Sequence, residues 1–395
     1  MTDSPPSGHP SIRRPSAVYV GLFFAVGTLF PYLAVFYQAA GLSLEGIGLV
    51  AGLTGVIAVI AAPAWGAVVD RLHDVRGPLL VAGLWGATAG AWLATSRDPV
   101  TIAIAAVVLT AGTAGMGAMV DSRTMEMIGA NRDRYGRARA WGSLAFVGGA
   151  LAVGFLIERT GPAGLFLLYA PVIAATGLAA WLLLGRSGGT ARRSVSFGFG
   201  RDLGGLIRDP GLLALFVGSV MVWSAVAAVT TFISIRLADL GSGTAVIGFV
   251  FTPSALVEIP LMLAFPVIAR RLGGERLLVI GALAFAGRAA GWALATEPWM
   301  YVAIAPLGGV AYALFYVGTV TYVARSVPPS VQATAQGIFT GTAFSMGTIL
   351  GSALGGQIAA AITIPGLFGV SAIATVVAAL VVLRATGVRK SALAT

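Results

Sequence analysis

The chain has 395 residues, of which 57% are hydrophobic and only 10% are charged, and its net charge is +10. A soluble domain of this composition would expose far more apolar surface than soluble domains do, so a soluble globular protein is excluded. The absence of cysteine excludes disulfides, thiolate metal sites and thiol nucleophiles.

Twelve apolar runs follow one another along the chain. A bilayer core about 30 Å thick is crossed by roughly 20 helical residues, and lipid offers the backbone no hydrogen-bond partner outside the helix. We therefore expect an all-α membrane protein with twelve transmembrane helices. In chain order, the predicted spans are 18–38, 46–68, 77–95, 100–121, 136–157, 163–184, 211–235, 244–268, 276–295, 299–323, 331–355 and 364–384.

The basic residues are unevenly distributed over this topology. All but four of the 25 Lys and Arg residues lie at the termini or in the even-numbered loops; the exceptions are Arg97, Arg159, Arg236 and Arg288. Cytoplasmic loops carry such an excess of Lys and Arg. We expect both termini to lie in the cytoplasm and the protein to be a multi-pass protein of the plasma (inner) membrane. Its expected partner is the lipid bilayer, and no nucleic acid is expected to bind.

The longest polar stretch, rich in Gly, Arg and Ser, divides the spans into six plus six. The expected domains are a disordered cytoplasmic tail at 1–17, a six-helix bundle at 18–185, a linker at 186–210, a second six-helix bundle at 211–384 and a cytoplasmic tail at 385–395. Similar basic loops precede the third and ninth spans. Repeats related by an axis along the membrane normal are typical of carriers with a cleft between two halves.

The loop before the third span carries a recognisable motif. Gly66, Asp70 and Arg71 match Gly-x-x-x-Asp-Arg/Lys, which resembles the loop signature of the major facilitator superfamily, although His73 stands where that pattern usually has Gly. We expect Gly66 to permit close helix contact and Asp70 to bond a neighbouring helix end or an Arg. The alternative is that these are ordinary loop charges.

A second resemblance covers nearly the whole chain. Asp-Ser-Arg-Thr-Met-Glu at 121–126 and the run 133–143, together with 30–33 and 328–337, resemble the lactose permease and phenylpropionate permease branch of the superfamily. This resemblance implies two pseudo-symmetric six-helix bundles, secondary active transport by alternating access, no cofactor and a monomer.

The resemblance also implies site residues. A carboxylate late in helix four and an Arg in helix five form a substrate-binding pair in that branch, which here implies Asp121 and Arg139, and Phe146 matches an aromatic that stacks on sugar. A carboxylate and a guanidinium facing one cavity offer hydrogen bonds to hydroxyls or carboxylates. Alternatively, both are charges at cytoplasmic helix ends. Four nearby cations are expected to be topology signals and phospholipid contacts: Arg123, Arg132, Arg134 and Arg137.

A second group of candidates lies deeper. Tyr32 is expected to line the cleft, and Glu258 and Arg288 are charges within apolar runs, which are rare and typically functional. Each lies about 12 residues into its span, or roughly 18 Å at 1.5 Å per residue, so both lie near the midplane and a salt bridge can form between the adjacent helices. It is either structural or part of proton coupling with Asp121, as an Arg matching Arg288 is in lactose permease.

The resulting hypothesis is a secondary transporter, with proton-coupled import of a small polar organic solute such as a sugar or an aromatic acid. The tenth helix lacks the His and carboxylate of lactose permease, so its symport mechanism does not transfer whole. The alternative is proton-antiport efflux of lipophilic or cationic compounds, although the fifth helix lacks the Gly-Pro typical of drug exporters. No phosphate-binding loop or zinc-protease motif is present, so neither an enzyme nor a metal site is expected.

Overall fold

A computed structural model describes residues 12–128, 132–185, 210–327 and 332–393. These residues form helices and no β-strand. Residues 1–11 of the predicted N-terminal tail, residues 186–209 of the predicted linker, the prolines at 328 and 329, and residues 394–395 lie outside the described residues.

The helix bounds divide several of the predicted spans into two pieces. A 3-10 helix at Pro162–Gly164 precedes α8, and a π-helical segment at Gly337–Thr342 separates α14 from α15. In chain order the α-helices are α1 (Arg13–Leu29), α2 (Leu33–Ala39), α3 (Leu44–Leu72), α4 (Arg76–Thr95), α5 (Pro99–Thr113), α6 (Met116–Ile128), α7 (Arg132–Thr160), α8 (Leu165–Leu183), α9 (Pro210–Asp239), α10 (Thr244–Leu272), α11 (Gly274–Leu294), α12 (Pro298–Ile304), α13 (Pro306–Ser326), α14 (Gln332–Gln336), α15 (Ala343–Ile362) and α16 (Ile364–Leu393).

The prediction of twelve transmembrane helices is confirmed. Twelve helical segments of the described chain are long and apolar enough to cross a membrane. The eleventh span was misplaced at its end, because its apolar helix runs to Ile362 rather than to residue 355. Residues 355 and 356 are both glycine, and Gly356 lies against α3 within the helix. In a membrane, close packing of this kind keeps glycine within a helix.

The same spans pair in both halves of the chain. In the first half, α1 packs against α7 and α8, and α4 packs against α8; in the second, α9 packs against α15 and α16, and α11 packs against α16. Glycines bring the backbones together, since a Cβ at Gly149 of α7 would overlap Phe24 of α1, and one at Gly351 of α15 would overlap Ser224 of α9. Such contacts replace the hydrophobic driving force that helices lack in lipid.

The chain divides into two compact units that do not follow the predicted bundle boundary. One holds the described residues within Met1–Phe30, Ile57–Ser96 and Ile104–Arg192, and the other holds those within Pro31–Val56, Arg97–Ala103 and Arg193–Thr395. The first half therefore contributes the beginning of α3 to the second unit.

Contacts within the second unit explain this division. The hydroxyl of Tyr32 donates a hydrogen bond to the carbonyl of Thr244 at 3.0 Å. A Cβ at Gly48 of α3 would lie 2.5 Å from the Ser352 carbonyl oxygen and 2.8 Å from the Cα of Gly356. The bundle boundaries 18–185 and 211–384 stay predictions.

Equivalent residues end α3 and α10. His73 follows α3 with a φ of 51°, and Gly273 follows α10 with a φ of 82°. A left-handed residue commonly ends a helix, and glycine adopts this conformation without the steric cost of a Cβ. His73 thus occupies a position suited to glycine, with its Nδ1 3.2 Å from the Arg71 carbonyl oxygen.

We expect His73→Gly to stabilise the protein by about 1 kcal/mol, because it relieves this backbone strain. The measurement is the apparent melting temperature in detergent. Gly273→Ala is the matched control, since it introduces the same strain in the other half and should lower that temperature. A lower melting temperature for His73→Gly would mean that the imidazole contact outweighs the strain.

Candidate functional site

The structure brings the two residues of the predicted pair together. Asp121 lies on α6, shortly after the break between α5 and α6, and Arg139 lies on the second turn of α7. The Nη1 atom of Arg139 is 3.2 Å from Oδ2 and 3.3 Å from Oδ1 of Asp121. The exposed fraction is 47% for the Arg139 side chain and 35% for the Asp121 side chain, so the ion pair is partly exposed.

Aromatic side chains complete this cluster. The hydroxyl of Tyr19, a buried residue of α1, donates to Oδ1 of Asp121 at 2.5 Å. Arg139 donates from Nη1 to the hydroxyl oxygen of Tyr135 at 3.2 Å, and its guanidinium carbon lies 5.6 Å from the ring centroid of Phe23. The pair is therefore oriented by groups from two helices, α1 and α7.

The cluster can act as both donor and acceptor. Within the described residues, every hydrogen bond that Arg139 donates uses Nη1, so Nε and Nη2 can meet a ligand. Asp121 presents carboxylate oxygens beside them. A ligand group that needs a donor and an acceptor side by side, such as two neighbouring hydroxyls, fits this chemistry.

Sequence reasoning missed Tyr19 and Phe23. They lie one helical turn apart on α1, with ring centroids 6.2 Å apart. The spacing of these two aromatic residues on one face of the first span could have indicated them. Tyr32 was the aromatic residue of this span that the sequence analysis predicted in the cleft.

Phe146 and Tyr32 lie apart from the hydrogen bonds of this cluster. The backbone of Phe146 packs against Gly27 of α1, and its side chain is half-buried. Tyr32 is completely buried and belongs to the second unit, where it bonds Thr244. Their roles in ligand binding stay predictions.

Glu258 and Arg288 form no salt bridge with each other. Within the described chain Arg288 makes no ion pair; its guanidinium carbon lies 4.8 Å from the ring centroid of Trp292 and 5.3 Å from that of Phe285. Arg288 is buried, and its Nε has no hydrogen-bond partner among the residues that the structure describes. Similar depth on adjacent helices does not determine the direction in which either side chain points.

Both residues nevertheless lie against α13. A Cβ at Gly308 would be 2.6 Å from Nη1 of Arg288, and one at Gly309 would be 2.9 Å from the backbone nitrogen of Glu258. These neighbouring glycines let the buried cation and the backbone of α10 approach α13 closely.

The loop motif behaves differently from the expectation. A Cβ at Gly66 would meet no atom of the described residues within 4 Å, so this glycine makes no close helix contact in the present conformation. Asp70 and Arg71 are exposed. The neighbouring Trp65 contacts another helix, since its indole donates a hydrogen bond to the Ala111 carbonyl of α5 at 2.9 Å.

The interpretation of Arg123 as a lipid contact was wrong. Its side chain is buried, donates to the Leu184 carbonyl at 3.0 Å from Nε and 2.9 Å from Nη2, and pairs with Glu126 at 2.7 Å. The last carbonyls of a helix have no partner within it, and Arg123 satisfies one beyond the end of α8. Arg137 is exposed, and the side chains of Arg132 and Arg134 lie outside the description.

Comparison with known proteins identifies similar chains. The model of the MFS_1 like family matches residues 12–368. The maltose permease of Geobacillus stearothermophilus is 28% identical over 370 residues, which cover 92% of each chain. The putative nucleoside transporter YegT of Escherichia coli (strain K12) is 25% identical over 353 residues, covering 85% of this chain and 81% of that protein.

Solved structures share the fold. The crystal structure of the nucleoside transporter NupG matches with a TM-score of 0.84 at 18% identity, covering 95% of this chain and 98% of that one. The peptide transporter POT in complex with sulfate matches with a TM-score of 0.74 at 14% identity, covering 98% and 96%.

Proposed function

Because the chain belongs to the MFS_1 like family, we propose that this multi-pass membrane transporter imports a small neutral solute rich in hydroxyl groups, a sugar or a nucleoside, together with protons. The coarser part of this statement follows from the family match and from the proteins compared above, which are transporters rather than enzymes. The observation that carries the finer part is the accessible Asp121–Arg139 pair.

The chemistry of the pair favours hydroxyl groups over a carboxylate. A hydroxyl both donates and accepts, so neighbouring hydroxyls of a sugar or a ribose can donate to Asp121 and accept from Arg139. The carboxylate of an aromatic acid would accept from Arg139 but would be repelled by Asp121. We therefore prefer the sugar to the aromatic acid, and the maltose and nucleoside relatives support this choice.

Proton coupling is assigned to Asp121, with Glu258 and Arg288 as further participants. Ionisable groups within transmembrane segments commonly form proton pathways. Protonation of Asp121 would remove one charge of the ion pair and release Arg139, so solute affinity and proton binding would be linked through one carboxylate. Phe146 and Tyr32 are assigned to solute binding in the same proposal.

The test is transport in proteoliposomes that contain a pH-sensitive dye. Maltose, uridine, phenylpropionate and tetraphenylphosphonium are added separately. We expect interior acidification with maltose or uridine, accompanied by uptake of the labelled solute. Acidification with phenylpropionate alone would mean that the solute is an aromatic acid and not a sugar or a nucleoside. Interior alkalinisation with tetraphenylphosphonium would indicate efflux by antiport.

Tyr19→Phe should weaken binding of the transported solute by about tenfold. The substitution keeps the ring packed on Phe23 but removes the hydroxyl that holds Asp121, and a hydrogen bond to a charged group contributes roughly 1.5–3 kcal/mol. Equilibrium dialysis with labelled maltose and uridine measures the affinity. Tyr37→Phe, which removes another buried hydroxyl from the first span, should leave the affinity unchanged; equal losses in both variants would contradict the assigned role of Tyr19.

A further inference from the structure

Two tryptophans contact the fourth span just before it breaks. The indole of Trp65 on α3 donates to the Ala111 carbonyl at 2.9 Å, and the indole of Trp85 on α4 donates to the Val108 carbonyl at 2.9 Å. Both acceptors belong to the last two turns of α5, which ends at Thr113. The two indole rings are in edge contact, with centroids 6.4 Å apart.

The fourth span is shaped to receive these rings. A Cβ at Gly112 would overlap the indole of Trp85, and one at Gly115 would lie 2.5 Å from the Cβ of Trp65. In a continuous helix the amide of Gly115 would bond the Ala111 carbonyl. Insertion of a side chain into this ladder is a recognised cause of a helix break.

The break decides where the candidate site lies. Helix α6 begins at Met116, and Asp121 follows on its second turn. The direction in which α6 leaves the break therefore sets the distance between Asp121 and Arg139 of α7. Trp65 directly precedes Gly66 of the loop motif, so α3, which carries this motif, is bonded to α5, the part of the fourth span before the break.

We propose that Trp65 and Trp85 are positioning residues that hold the break in the fourth span, so that Asp121 meets Arg139 and movement of α3 reaches the binding pair through Trp65. This inference rests on the proposed function, because it assigns the pair to solute binding. Indole donors within lipid need an acceptor, and the carbonyls beside a broken helix supply one.

The binding test compares three identical substitutions. Trp65→Phe and Trp85→Phe keep an aromatic ring and remove the N–H donor. Trp92→Phe is the matched control, because Trp92 lies on α4, is as exposed as Trp85 (41%), and its indole makes no hydrogen bond within the described residues. We expect about tenfold weaker binding of maltose or uridine in Trp65→Phe and Trp85→Phe, and less than about twofold change in Trp92→Phe.

A double substitution separates positioning from general destabilisation. If Trp65 acts through Asp121, its effect should shrink when Tyr19→Phe has already loosened that carboxylate, since residues acting on one group are not additive. Fully additive losses would overturn the proposal. Equal losses in all three tryptophan variants would overturn it as well.

A spectroscopic measurement tests the same geometry without any solute. The chain has no cysteine, so Ser122→Cys on α6 and Ala140→Cys on α7 give the only two sites for spin labels, and both positions are exposed. We expect Trp65→Phe, but not Trp92→Phe, to shift or broaden the distance distribution between them. An unchanged distribution in Trp65→Phe would refute the positioning role. If the unaltered protein binds neither maltose nor uridine, the proposed solute fails while this measurement still decides the inference.

Discussion

Replacing Arg139 with alanine is expected to abolish measurable solute binding while the protein still folds. The guanidinium is the cation paired with Asp121, and its Nε and Nη2 make no hydrogen bond within the described part of the chain, which leaves them as donors for a ligand. Loss of these charge-assisted bonds should weaken binding by more than about a hundredfold. An ion pair this exposed contributes little to folding, so the apparent melting temperature should change by only a few degrees.

Two variants make this expectation specific. Arg137→Ala removes an exposed cation from the same helix two residues earlier and should bind solute normally. Arg139→Lys keeps the charge but loses the planar fork that contacts two acceptors at once, so its affinity should fall between those of the unaltered protein and Arg139→Ala. Unchanged affinity in Arg139→Ala would refute the assignment of the pair to solute binding.

The transmembrane helices were predictable because one physical rule dominates them. Run length and the need to satisfy backbone groups within lipid located all twelve spans. The error in the eleventh span arose where glycine served helix packing instead of ending a helix, and Gly356 could be understood only with its partner Gly48 in place.

The candidate site was predictable only in part. Asp121 and Arg139 stood out as charges beside apolar runs and by resemblance to a family motif. Tyr19 lies 102 residues from Asp121 in the chain, and only the packing of α1 against α7 and α8 brings it to α6. Sequence periodicity does not contain that information, since lipid-facing and protein-facing sides of these helices are both apolar.

The same limit explains Arg288. Counting residues from the membrane surface estimated its depth but not the direction of its side chain around the helix. The guanidinium turned to Trp292 and Phe285, whose rings offer a cation an electrostatic partner within about 6 Å. A buried guanidinium can be stabilised by aromatic rings or by a carboxylate, and only the packing of α11 shows which of these partners Arg288 contacts.

Asp121→Asn is expected to separate proton movement from solute movement. The amide has nearly the same shape and can still accept a hydrogen bond from Tyr19, but it carries no titratable proton. Solute-induced acidification of proteoliposomes should therefore disappear, whereas exchange of labelled for unlabelled solute should continue at a reduced rate. Glu126→Gln is the matched control, because it makes the equivalent change on the same helix in a carboxylate that pairs with Arg123.

The control should retain solute-induced acidification, since Glu126 bonds a cation that supports the end of α8 rather than the binding pair. If acidification persists in Asp121→Asn, the proton is carried by another group, and Glu258 becomes the next carboxylate to replace. If both exchange and acidification vanish, the charge of Asp121 is required for binding itself. Asp121 would then act in solute binding alone, and the link between proton and solute would have to be sought beside Arg288.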